Sequence, residues 1–173
     1  MHTKLEQKFR QLEADREKLM NGLWQVSSEK LNRKPQPDKW SALQVIYHIN
    51  QAEQLTLQYI TRKLTGKKAF TDPGPGNTWR NLLLRLLLWS PARFKAPAVL
   101  GQVPDHPELT AVSKAWAQTR QDIRHMLAQF PDELTGKQIF RHPRAGMLTI
   151  HQTLDFIGDH AEHHYRQIRR LVR

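Results

Sequence analysis

The chain has 173 residues, no cysteine and a formal net charge of +11. That length fits one domain able to bury its own core, and the missing cysteines exclude disulfides, thiolate metal ligands and a cysteine nucleophile. The balance of 27 basic against 16 acidic residues suits nucleic acid, an anionic membrane surface or acidic small molecules. Between Gln54 and Pro104 only Asp72 is acidic, against eight basic residues. No nucleic-acid motif or aromatic-interleaved basic strand accompanies this excess, so a solvated basic surface is expected and nucleic acid is not the expected partner. Met1-His2-Thr3-Lys4-Leu5-Glu6 lacks a basic segment followed by an apolar one, so nothing marks secretion and the cytoplasm is the expected location.

Apolar residues at Leu5, Phe9, Leu12, Leu19, Leu23 and Val26 predict one long amphipathic helix from about Lys4 to Leu31, ended by Pro35 and Pro37. Trp40-Ser41-Ala42-Leu43-Gln44 carries the capping-box spacing, with Trp40 placed to staple onto Val45. The second helix then runs to about Leu64, with Gly66 as a left-handed stop and Val45, His48 or Ile49, Ala52, Leu55 and Tyr59 facing inward. Lys67 to Thr78 reads as a loop around Asp72-Pro73-Gly74-Pro75-Gly76. Trp79 to Trp89 predicts a short leucine-rich helix, too short for a bilayer that needs ~20 apolar residues. Its leucines exceed what one side can bury, which suggests a wedge in the bundle or a homodimer contact.

Lys95 to Pro107 is irregular and a candidate cover over a pocket. A further helix is expected from about Glu108 to Phe130, with Leu109, Val112, Trp116, Ile123, Met126, Leu127 and Phe130 inward. Asp132 to Met147 reads as turn-rich. Thr149 with Gln152 repeats the capping-box spacing, Leu148 can staple onto Thr153, and the last long helix runs to about Leu171. Four long helical patterns, long connections and no convincing strand pattern give an all-α four-helix bundle with an extra short helix, in a single domain spanning 1–173.

The chemistry concentrates in Asp159-His160-Ala161-Glu162-His163-His164-Tyr165-Arg166-Gln167-Ile168. Residues four apart on a helix stand one above the other, so His160 and His164 project from one face and can share a metal ion; His163 lies about 100° away. A catalytic site usually takes three protein ligands. Of the nine histidines, His48 alone sits near the middle of another helix, on or beside its apolar stripe, which makes it the third ligand. Three neutral imidazoles leave a divalent ion open to water or to a substrate thiol, and zinc, nickel and manganese all fit imidazole ligation. Glu53 is the general-base candidate, although five residues place it about 140° round the helix from His48. Asp159 and Glu162 suit surface salt bridges better than orienting a ligand imidazole.

Trp40-Ser41 followed by His48 and Glu53, then Arg141-His142-Pro143 with Gly146-Met147-Leu148-Thr149, then the His160–Gln167 stretch, resembles the DinB/YfiT-like superfamily along essentially the whole chain. The resemblance implies an up-down-down-up four-helix bundle in which a histidine of the second helix joins an H-x-x-x-H pair of the last around a divalent metal. Carried over, these ligands are His48, His160 and His164, with His142 a pocket or structural residue. It further implies metal-dependent hydrolases, or transferases and isomerases that use low-molecular-weight thiols. Apart from the resemblance, the basic residues Arg93, Lys95, Arg141 and Arg144, in the two loops best placed to border the site, favour an anionic small molecule. The alternative is a non-catalytic binding or scaffold bundle whose site is vacant or structural.

Overall fold

The computed structural model describes residues 2–66, 69–74, 76 and 102–173. Among them are five helices: α1 (Thr3–Leu23), α2 (Ser28–Asn32), α3 (Ala42–Thr65), α4 (Leu109–Ala128) and α5 (Ile150–Leu171), with a 3-10 turn at Asp132–Leu134 and strands β1 (Gln138–His142) and β2 (Gly146–Thr149). The predicted helix at Trp79–Trp89, and with it the expected homodimer contact, lies outside the described residues, as do Arg93 and Lys95.

Each long helix has two principal neighbours: α1 and α3 each pack against both α4 and α5, giving a ring in which α1 faces α3 across the core. Two apolar clusters fix the directions. One gathers Leu5, Phe9 and Leu12 from the start of α1, Ile60 from the end of α3, Ile123 and Leu127 from the end of α4, and Leu154 and Ile157 from the start of α5. The other takes Leu19, Met20 and Leu23, then Leu43 to Ile49, Val112 and Trp116, and Ala161, Tyr165 and Ile168 from the opposite halves. Thus α1 and α5 run one way, α3 and α4 the other, which is the up-down-down-up arrangement. Helix α1 comes close to α5 at Gly158, where a Cβ would stand 3.1 Å from a Leu12 methyl.

Both capping boxes form. Ser41 Oγ accepts from the N–H of Gln44 and the Gln44 side chain accepts from the N–H of Ser41; Thr149 and Gln152 repeat the exchange at α5. Each satisfies two orphan donors of a helix start, worth about 1 kcal/mol for the cap side chain. Gln44 also donates to the carbonyl of Pro104 at 2.8 Å, tying the irregular 102–107 segment to α3.

Four expectations need correction. The first predicted helix is two: Ser27 caps a fresh start, its Oγ accepting from the N–H of Lys30, while Val26 still packs on the core, so the apolar period continues across the break. Gly66 ends α3 with extended backbone (φ −81°, ψ 159°), not left-handed. Along α3 the buried positions after Ile49 are Asn50, Glu53, Thr56 and Ile60, whereas Ala52, Leu55 and Tyr59 are half-buried. The fourth is the turn-rich stretch before α5, which contains an antiparallel hairpin, with Phe140 opposite Leu148 and His142 opposite Gly146. Its three-residue loop closes on Gly146 at φ 76°, a left-handed conformation suited to glycine. Ile139, Phe140, Ala145 and Leu148 are buried in the first cluster, and β2 passes straight into α5 through Thr149.

Candidate metal centre

Antiparallel neighbours α3 and α5 bring the first half of one against the second half of the other, and this places His48 opposite His160 and His164. The three rings stand 5.3 Å (His48–His160), 4.8 Å (His48–His164) and 4.6 Å (His160–His164) apart between centroids. One ring nitrogen from each lies within 4.8 Å of the others, and among the described residues this is the group of histidines and carboxylates that could hold a metal ion. His163 is outside it; its ring packs edge-on against His164 at 5.1 Å.

The walls are aromatic. Trp40 tilts over His48 at 5.1 Å, and Phe156, one turn before His160, stacks on that ring at 5.6 Å. Phe156 was not singled out in the sequence, although its four-residue spacing from His160 is the signal that could have marked it. Burial disfavours the imidazolium form. It pulls the His48 pKa down to about 4, and it pulls His164 to about 3, with His48 adding repulsion and a bond to Gln167 opposing. His160 falls well below the ordinary value through burial and then through His164 and His48. All three rings are therefore neutral near pH 7, the state a metal requires.

Gln167 has a definite task. Its Oε1 lies 2.9 Å from His164 Nδ1, and a carbonyl oxygen can only accept, so Nδ1 carries the hydrogen and Nε2 keeps the lone pair. Ligating histidines usually carry such a second partner, which fixes tautomer and ring orientation. The sequence placed Gln167 in the motif without this role. On the opposite helix, His48 Nδ1 is buried with no hydrogen-bond partner among the described residues. A buried ring nitrogen left unpaired costs free energy. Three neutral imidazoles, converging donor atoms and an orphaned nitrogen together fit a divalent ion.

Glu53 faces elsewhere. It is 2% exposed, and its carboxylate accepts from Arg120 Nε at 2.7 Å, Arg120 Nη2 at 2.8 Å and Trp116 Nε1 at 3.0 Å, all on α4. Burial raises its pKa, with Arg120 opposing. The carboxylate proposed as a general base is thus committed to a buried ion pair. Glu162 pairs with Arg169 at 3.2 Å on the surface. His142 is the hinge of its hairpin, Nδ1 accepting from the N–H groups of Arg144 and Ala145 at 3.2 and 3.1 Å. Arg141 and Arg144 are exposed on the same hairpin.

An uncharacterized protein of Bacillus subtilis (strain 168), YuaE, is 23% identical over 151 residues, covering 87% of this chain and 88% of that protein. No solved structure matches the chain. The family model of the DinB superfamily matches residues 11–168, so the chain belongs to the DinB superfamily.

Proposed function

We propose that the chain is a single-domain, metal-dependent enzyme in which His48, His160 and His164 hold one divalent ion and act on a small anionic or thiol-containing substrate, by hydrolysis or thiol transfer. The observation that carries this reading is the convergence of three neutral imidazoles from two helices, their ligand atoms within 4.8 Å of one another. When bound, such an ion supplies Lewis acidity and draws the pKa of a water or thiol at its open position toward neutrality. Gln167 orients His164, Trp40 and Phe156 restrict water around the rings, and the basic hairpin residues Arg141 and Arg144 favour an anionic substrate. Zinc, nickel and manganese remain the metals of choice. A cytoplasmic setting accords with the absence, among the described residues, of any helix long and apolar enough to cross a membrane. Homodimerisation rests on the leucine density of 79–89 in the sequence.

Metal titration with competing chelator tests the site. Alanine at His48, His160 or His164 is expected to abolish tight binding while far-UV dichroism stays helical, and alanine at His163 to retain it. Wild-type protein refusing Zn²⁺, Ni²⁺ and Mn²⁺, or His163→Ala losing the ion as completely as His160→Ala, would overturn the assignment. A screen of thiols, esters and amides on the loaded protein then identifies the reaction. One observation favours a non-catalytic binding bundle: the Glu53 carboxylate is committed to Arg120 and Trp116. A metal-loaded protein inert to all three substrate classes would support that alternative.

A further inference from the structure

His142 is locked into one tautomer by its own hairpin. Its Nδ1 accepts two backbone N–H groups, from Arg144 and Ala145, so the lone pair is on Nδ1 and the hydrogen of the neutral ring is on Nε2. Burial, with the Arg144 charge adding, brings its pKa down to about 4, consistent with a neutral ring at pH 7. Ligation through Nδ1 would displace both N–H donors. Ligation through Nε2 would shift the hydrogen to Nδ1, where it would point at two N–H groups. Either route breaks the loop bonds that shape the hairpin.

Phe156 connects the same ring to the metal centre. It packs on Phe156 at 4.5 Å, and Phe156 stacks on His160 at 5.6 Å. Phe156, His160 and His164 recur every four residues along one face of α5, so His142 continues that row beyond Phe156. Because β2 runs into α5 without a linker, the ring is held in a fixed relation to the row.

We propose that His142 is a neutral hydrogen-bond donor of the substrate site and not a fourth metal ligand: its Nε2–H donates to a carbonyl or carboxylate oxygen of a small molecule whose other end reaches His48, His160 and His164. This rests on the metal-dependent reading above and adds the substrate class, a molecule with a metal-seeking group at one end and an oxygen acceptor at the other. The useful variant is His142→Asn. The Asn oxygen can accept the same two backbone N–H groups as an Asx turn, which preserves the hairpin, while its amide nitrogen takes the place of ring Cδ2 and leaves no donor at the position of Nε2.

The probes are 3-mercaptopropionate, with a thiol and a carboxylate, and propanethiol, with the thiol alone, titrated into Co²⁺-loaded protein and followed by the thiolate-to-cobalt absorption. Wild type is expected to bind the carboxylate-bearing thiol about tenfold tighter or more, the scale of one hydrogen bond to a charged acceptor. His142→Asn is expected to erase most of that preference while keeping propanethiol affinity and cobalt affinity unchanged. An unchanged preference would overturn the donor role, and loss of cobalt would make His142 a ligand instead. Long-range ¹H–¹⁵N correlation on metal-free wild type, which needs no variant to fold, should find the Nε2–H tautomer; Nδ1–H would refute the proposal independently. Wild type that takes up no Co²⁺ is a different failure, since it overturns the metal reading itself and with it the ligand role of His142.

Discussion

Acidification of the metal-free protein should expose how far the centre is set in its neutral form. An unfolded histidine titrates near 6.5, whereas His48, 5% exposed, is held at about 4 by burial. Below pH 6.5 the unfolded chain therefore binds a proton that the folded chain refuses, so stability is full above that pH and falls until the folded pKa is passed. The drop of about 2.5 units, at ~1.4 kcal/mol each, amounts to roughly 3 kcal/mol at full effect and about 2 kcal/mol at pH 5. His164 and His160 shift in the same direction and steepen the loss. Urea melts between pH 7.5 and 4.5, on wild type and on His48→Leu in the presence of chelator, isolate the His48 share as the difference in slope. Parallel pH profiles for the two proteins would refute the reasoning, because they would mean that the His48 ring meets no more desolvation folded than unfolded.

Removing the Gln167 acceptor by Gln167→Leu should weaken metal binding by ~10–100-fold, measured by chelator competition, while the metal-free melting temperature moves little. Glu53→Ala leaves Arg120 buried with the more distant Glu13, at 3.6 Å, as its one remaining carboxylate among the described residues, and should cost about 3–5 kcal/mol in urea melts; pairing it with Arg120→Met should recover most of the loss. Charge reversal at Arg141 and Arg144 together should weaken an acidic ligand more than its neutral analogue, and equal losses for both would show a structural effect instead.

What could be read in the chain alone follows from which physical terms leave a sequence period. Apolar stripes, both capping boxes and the four-residue spacing of His160 and His164 all do, so the bundle and the three imidazoles were legible. The break at Ser27 was not, because Val26 keeps the apolar phase while the backbone restarts. Nor was the true inner face of α3. A hydropathy pattern favours Ala52, Leu55 and Tyr59, but Glu53 is buried through Arg120 and Thr56 through a bond from its hydroxyl to the carbonyl of Ala52. The hairpin escaped because its strands have five and four residues, and an irregularity between Gln138 and Phe140 lets Ile139 and Phe140 both be buried. Its strongest local signal, Gly146, reads equally well as a turn.

Helix α3 carries two polar devices, and their separation is what lets both exist. Five residues turn the helix by about 140°, so His48 can face α5 while Glu53 faces α4. Had the two pointed together, the carboxylate would compete as a ligand or lower the positive charge available at the centre, and Arg120 would lose its partner. As arranged, the bidentate bond to Arg120 and the bond from Trp116 resist rotation of α3 about its axis, since a turn of the helix would break directional contacts at 2.7, 2.8 and 3.0 Å. The same rotation would carry His48 away from His160 and His164. The ion pair on one side therefore fixes the rotation of α3 that sets the direction of the imidazole on the other, and the Glu53 carboxylate is engaged with α4 and not with the histidines.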